Sequence, residues 1–209
     1  MARYLVRLAV LAAIAALAIP AAAANAGGGL LGGLLPTLIG GNCGSDAPVF
    51  SPWSDRSDYY FAANGGFESG TSGWSFSGGA AVVPGNESYG VHSSSDSQSA
   101  LIPAGGSVST SACYGLLYPS VRFFVQSVGD QPATIDVRVQ AKSLLGVVSI
   151  LDGGTFRVSG GWQPSPKLST LLSAIAAPLG TKSMSLQITV LSGTAQVDDL
   201  YIDPLVRIA

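Results

Sequence analysis

The plainest pattern in the chain is the run Ala133 to Lys142, ATIDVRVQAK, in which apolar and polar side chains alternate. Ile135, Val137, Val139 and Ala141 fall on one side, and Thr134, Asp136, Arg138, Gln140 and Lys142 on the other. That period of two belongs to a half-buried strand. Ser183 to Val190 repeats it, with Met184, Leu186, Ile188 and Val190 opposite Ser183, Ser185, Gln187 and Thr189. Val121, Phe123 and Val125 form a third apolar row, backed by Arg122, Phe124 and Gln126. One dry and one wet face per strand predicts antiparallel sheets stacked in a sandwich.

Turn chemistry separates the runs: Gly78-Gly79, Pro84-Gly85-Asn86, Gly105-Gly106, Gly129-Asp130, Asp152-Gly153-Gly154, Gly160-Gly161 and Gly193. Many short strands at this spacing predict an all-β fold rather than alternating βαβ units. Thr170 to Ala177, TLLSAIAA, is the one helical candidate, with Ser169 before it and Pro178 and Gly180 after it. At about two turns it reads as a crossover between strands, since so short a helix cannot form a layer alone. The expected architecture is an antiparallel jelly-roll β-sandwich with one short crossover helix.

The ends of the chain read differently. Arg3 and Arg7 precede an apolar stretch from Leu8, and Ala24-Asn25-Ala26 offers a small-x-small cleavage site. This predicts a signal peptide over residues 1–26, a secreted protein that is extracellular or at the cell surface, and no membrane span in the mature chain. Residues 27–50 alternate Gly-Gly breaks with Leu-Leu pairs, a poor helix because each glycine costs about 1 kcal/mol relative to alanine. They are expected to form a flexible arm, leaving residues 51–209 for the sandwich domain.

Charge narrows the partners. Removing Arg3 and Arg7 from ten basic residues leaves eight against twelve acidic ones, a net charge of about −4. With no basic cluster, nucleic acid is not an expected partner. Cys43 and Cys113, both exported, are expected to form a disulfide, which would restrict the unfolded chain by about 4 kcal/mol.

Catalysis finds little support. No serine has glycine at both −2 and +2, so a nucleophile elbow is missing. His92 is the sole histidine and reads as a surface residue of a polar loop, with Asp96 the candidate orienting carboxylate were it a base. Glu68 and Glu87 are the only glutamates, each in a turn-rich segment, and no acid pair stands in a glycosidase context. The chain is expected not to be an enzyme. Adjacent acids inside an apolar strand, Asp198 and Asp199 in TAQVDDLYIDP, are costly to bury unless something compensates them. Either a calcium ion held by carboxylate and backbone oxygens does so, or the pair points into solvent at a bulge.

The segment NGGFESGTSGW (Asn64 to Trp74), then GGAAVV, the GGW of Gly160 to Trp162, Leu179-Gly180 and the closing VDDLYID resemble the galactose-binding-like jelly roll. The resemblance is to the carbohydrate-binding modules of xylanases and glucanases. The longer pattern from Asn42 to Pro204 also resembles uncharacterised single-domain secreted bacterial proteins. The first resemblance implies a structural calcium held by Glu68, Asp198 and the carbonyl of Gly66, and a non-catalytic module for extracellular polysaccharide. Sugar binding needs aromatic platforms with polar side chains beside them. Phe124, Gln126, Arg138 and Gln140 on the wet faces are the candidates, and they serve equally well as ordinary solvated sheet surface. Trp74 and Trp162 are expected to pack the sandwich, with Trp53, Tyr59 and Tyr60 outside it. The alternative function is a structural or adhesive cell-envelope protein that binds no glycan.

Overall fold

A computed structural model describes residues 45–111, 120–143, 148–169 and 181–203. The signal segment, Cys43, Cys113 and the helical candidate at 170–177 lie outside the described residues, as does most of the arm. Among the described residues no helix is long and apolar enough to cross a membrane.

The described strands, in chain order, are β1 (Asp46–Ala47), β2 (Tyr59–Phe61), β3 (Trp74–Ser77), β4 (Ala81–Pro84), β5 (Gln98–Pro103), β6 (Ser107–Ser111) and β7 (Ser120–Ser127). They continue with β8 (Ala133–Ser143), β9 (Val148–Val158), β10 (Gln163–Pro164), β11 (Leu168–Ser169), β12 (Thr181–Ser192) and β13 (Thr194–Asp203). All pairings are antiparallel. A five-stranded sheet runs β3-β6-β12-β8-β9, and an eight-stranded sheet holds β1-β2-β13-β5-β4 together with β7, β10 and β11. The chain is therefore the all-β sandwich its alternating rows predict.

The core is built from those rows. Val121, Phe123 and Val125 of β7 and Ala195, Val197, Leu200 and Ile202 of β13 share a cluster with Ile135, Val137 and Val139 of β8 and Leu186, Ile188 and Val190 of β12. Trp74 belongs to it too, its ring N–H donating to the Asn64 carbonyl at 2.9 Å. Burial of each valine, leucine, isoleucine or phenylalanine among them contributes about 1.5–3 kcal/mol before the entropy of ordering it is set against the gain.

A second aromatic cluster lies on the outer side of the eight-stranded sheet, where strand alternation anticipates water. Phe50, Tyr59, Phe124 and Tyr201 are buried there, with Trp53, Phe61, Val91 and Trp162 packed against them. What covers this face is the segment before β2. Residues 46 and 47, expected within the flexible arm, pair with β2, and Phe50 is fully buried. Asp55 holds the segment down: it accepts from the Tyr59 hydroxyl at 2.7 Å and from Arg122 Nη1 at 3.1 Å. The Arg122 guanidinium also lies 4.4 Å above the Phe50 ring, a cation–π contact that anchors the same segment.

Candidate functional site

β13 carries β7 along one edge. Along the other it pairs first with β5, through Thr194 to Val197, and then with β2, through Tyr201 and Ile202. Between those two pairings the ladder to β7 slips, from Asp198 to Tyr201. Asp199 has a left-handed backbone, φ 45°, a conformation aspartate tolerates better than most residues. The extra residue is a β-bulge. It returns Leu200 to the core, and Asp198 and Asp199 are both fully buried rather than turned to solvent.

The glycines of NGGFE fit against this bulge. The Leu200 amide donates to the Gly65 carbonyl at 3.2 Å and the Ala62 amide to the Leu200 carbonyl at 2.9 Å. A Cβ on Gly66 would stand 2.9 Å from Asp199 Oδ1 and 3.6 Å from Asp198 Oδ1, so a larger residue would have to displace the Asp199 carboxylate. Gly66 and Asp198, two of the three expected calcium ligands, are thus brought together.

Glu68 is occupied differently. Its Oε1 accepts from the amides of Ser97 and Gln98, each at 2.7 Å, and Oε2 from the Ser97 hydroxyl at 3.3 Å. Glu87, nearly buried, accepts from the amides of Tyr89 and Val91. The two glutamates therefore act as backbone clamps at the two ends of the 87–98 loop.

That loop closes over the acids. Asp198 Oδ2 accepts from the Glu87 amide at 2.8 Å and Oδ1 from the Asp199 amide at 2.9 Å. Asp199 Oδ2 accepts from the His92 amide at 3.2 Å, while its buried Oδ1 has no hydrogen-bond partner among the described residues. Burial above all, and then the charge of Asp199, push Asp198 up to about 8. Burial is also the main cause that raises Asp199 to about 7; the His92 amide works against the rise and the charge of Glu87 adds to it. Among the described residues no lysine or arginine forms an ion pair with Glu87, Asp198 or Asp199.

His92 completes the group. Its Nδ1 lies 2.6 Å from Asp96 Oδ2, and its ring stacks on Phe61 at 3.7 Å and 8°. Ligand atoms of His92, Asp96 and Asp199 all lie within 4.8 Å of one another. The sequence signals Asp199 as an acid in an apolar strand, but nothing in the spacing of YGVHSSSDSQS shows that the loop would fold back onto it.

The four expected glycan-contact residues are not brought together. Phe124 and Gln126 stand on the outer face of the eight-stranded sheet, and Arg138 and Gln140 on the outer face of the five-stranded one. Phe124 is not an exposed platform: it is fully buried, its ring 5.5 Å from Phe50, 5.4 Å from Trp53 and 5.5 Å from Tyr89. Gln126 donates to Gln196. Arg138 pairs with Asp136 at 2.7 Å, and Gln140 donates to Gln187 at 3.4 Å.

What Phe124 supports from below is an aromatic ledge the sequence does not reveal. Tyr89 is 48% exposed, stands edge-on to Trp53 at 5.0 Å, and donates its hydroxyl to the Trp162 carbonyl at 2.9 Å. Trp53 and Trp162, each partly buried, flank it. The three rings come from segments distant in sequence, so only the tertiary structure assembles them. Trp162 accordingly packs this outer cluster rather than the sandwich core.

This architecture is an antiparallel β-sandwich of the jelly-roll type. No family model matches the chain, and no curated protein does. Among solved structures it is similar to the CBM22-1 xylan-binding domain of Xyn10C from Paenibacillus barcinonensis, at 17% identity and a TM-score of 0.50, over 72% of this chain and 97% of that one. The CBM22-2 xylan-binding domain of the same Xyn10C gives 12% identity and a TM-score of 0.50, over 69% and 98%. The CBM22-1-GH10 modules of Clostridium thermocellum endo-1,4-beta-D-xylanase 10B, complexed with xylohexaose, give 19% and 0.53. That match covers 69% of this chain but 28% of the xylanase chain. At these identities the likeness is one of fold.

Proposed function

We propose that the protein is a secreted, non-catalytic carbohydrate-binding module that takes extracellular polysaccharide on the Tyr89 ledge. The observation that carries this reading is the half-exposed Tyr89 ring, held edge-on by Trp53 and tethered by its hydroxyl to Trp162. A rigid aromatic surface meets the apolar face of a pyranose with little entropy to lose, and hydroxyls then need polar neighbours. Gln126, two residues beyond Phe124 on the same face of β7, and its partner Gln196 supply amides for that purpose. The fold shared with domains described as xylan-binding supports the same class of ligand. Fold alone does not establish function, so the reading stands on the ledge.

A structural calcium held by the Gly66 carbonyl, Glu68 and Asp198 accompanies this proposal. Supporting it are the full burial of Asp198 without a basic partner among the described residues, and the closeness of Gly66 to it. Glu68 has given its carboxylate to Ser97 and Gln98 and joins the set only through lone pairs those bonds leave over. Such an ion would supply the positive charge the bulge lacks and tie both ends of the domain.

Affinity electrophoresis in gels containing soluble xylan, galactan or β-glucan tests the ligand. Retardation on at least one polymer that Tyr89→Ala abolishes, with the melting temperature moved by no more than a few degrees, is the expected result. No retardation on any polymer overturns the glycan reading and leaves the structural or adhesive role.

A further inference from the structure

We propose that His92, Asp96 and Asp199 form a binding site for a divalent transition metal ion of the zinc class, adjoining the calcium cradle of Gly66, Glu68 and Asp198. The juxtaposition comes first: one imidazole and two carboxylates from two segments more than a hundred positions apart place ligand atoms within 4.8 Å of one another.

The second observation is the state of Asp199 itself, whose Oδ1 also faces Gly66, 2.9 Å from where a Cβ there would stand. Asp199 is fully buried, yet its Oδ1 has no hydrogen-bond partner among the described residues. A buried carboxylate oxygen left without a donor has lost its hydration with nothing in return, so the site asks for something electropositive. Its neighbour Asp198 has both oxygens served by amides, which places the unmet demand on Asp199.

Ligand chemistry decides the class of ion. Calcium and magnesium take oxygen ligands. An imidazole nitrogen with carboxylates suits zinc and its first-row neighbours, and three protein ligands leave one position for water. The geometry is also held in advance. His92 is stacked flat against Phe61, and its own amide is tied to Asp199 Oδ2. The His92 side chain is 40% exposed while that of Asp96 is 8% exposed, so the site has an entry from solvent and a sheltered floor.

The experiment uses the untagged protein, stripped with chelator and kept in excess calcium so that an oxygen-only site is saturated. Cobalt(II) is titrated by visible absorption and then displaced with zinc. The expected result is one equivalent of cobalt with ligand-field bands, displaced by zinc. His92→Ala and Asp96→Asn, both on the loop, should each lower the affinity at least about 10-fold. Asp199→Asn should do the same, but it sits in the bulge and can unfold the domain, so the two loop variants decide. The proposal is overturned if the parent binds no cobalt, if calcium prevents its binding, or if both loop variants bind it as the parent does.

Discussion

The amide of Leu200 donates to the carbonyl of Gly65 at 3.2 Å, and through that bond the glycine turn and the acidic bulge hold each other in place. A Cβ on Gly65 would lie 2.9 Å from the Leu200 oxygen and 3.0 Å from that of Ala62, and both atoms are backbone. Neither can swing aside as a flexible side chain would. Gly65→Ala is therefore expected to destabilise the domain by about 1–3 kcal/mol, the usual cost of overpacking. Urea denaturation checks this, and an unchanged midpoint would show that the bulge can shift.

Phe124 and Tyr89 touch, yet they should fail differently. Phe124 is fully buried beneath the segment that precedes β2, so Phe124→Ala opens a cavity and should cost about 3–5 kcal/mol. Tyr89 is half exposed, and its replacement by alanine should stay within about 1 kcal/mol. Denaturation curves of the two variants separate the roles: equal losses would contradict the division between support and platform.

Asp55 sets an acid limit on stability. Burial works to raise its pKa, but the Tyr59 hydroxyl, the Ser57 amide and the charge of Lys167 outweigh burial and hold it below 3.8. A carboxyl depressed on folding stabilises the native state above its unfolded value, and that contribution is lost as pH falls through the folded one. Asp55→Asn should cost about 1–3 kcal/mol at neutral pH, as expected for hydrogen bonds to a charged group. Its melting temperature should also fall less steeply than the parent's below about pH 4. Parallel melting curves for the two proteins across that range would remove Asp55 as the cause.

Removal of divalent ions tests the acid cluster as a whole. Two buried aspartates without a basic partner among the described residues repel one another once charged. Chelation at neutral pH is expected to lower the melting temperature by several degrees, and added calcium to restore it. Asp198→Asn should abolish the calcium response. A melting temperature indifferent to chelator would eliminate the structural calcium.

Much of the sandwich could be read before any coordinates. The rows Ile135, Val137, Val139 and Leu186, Ile188, Val190 sit in the core as period two requires. Asp198-Asp199 could be flagged as anomalous because acids in an apolar strand break that period. The outer face of β7 could not be read, because Phe124 follows the polar side of its strand in sequence and is buried only when Phe50 and Tyr89 close over it. Likewise the bonds that the Glu68 carboxylate accepts from the amides of Ser97 and Gln98 could not be read from its motif.

By itself the sequence determined the class of fold and the inward face of its long strands, since alternation is a local property that every residue reports. Tertiary structure alone decided which loop covers the acids, that Tyr89 joins Trp53 and Trp162, and that His92 meets Asp199. These depend on contacts between segments far apart in the chain, whose meeting is set by the packing of two sheets and leaves no period in the sequence.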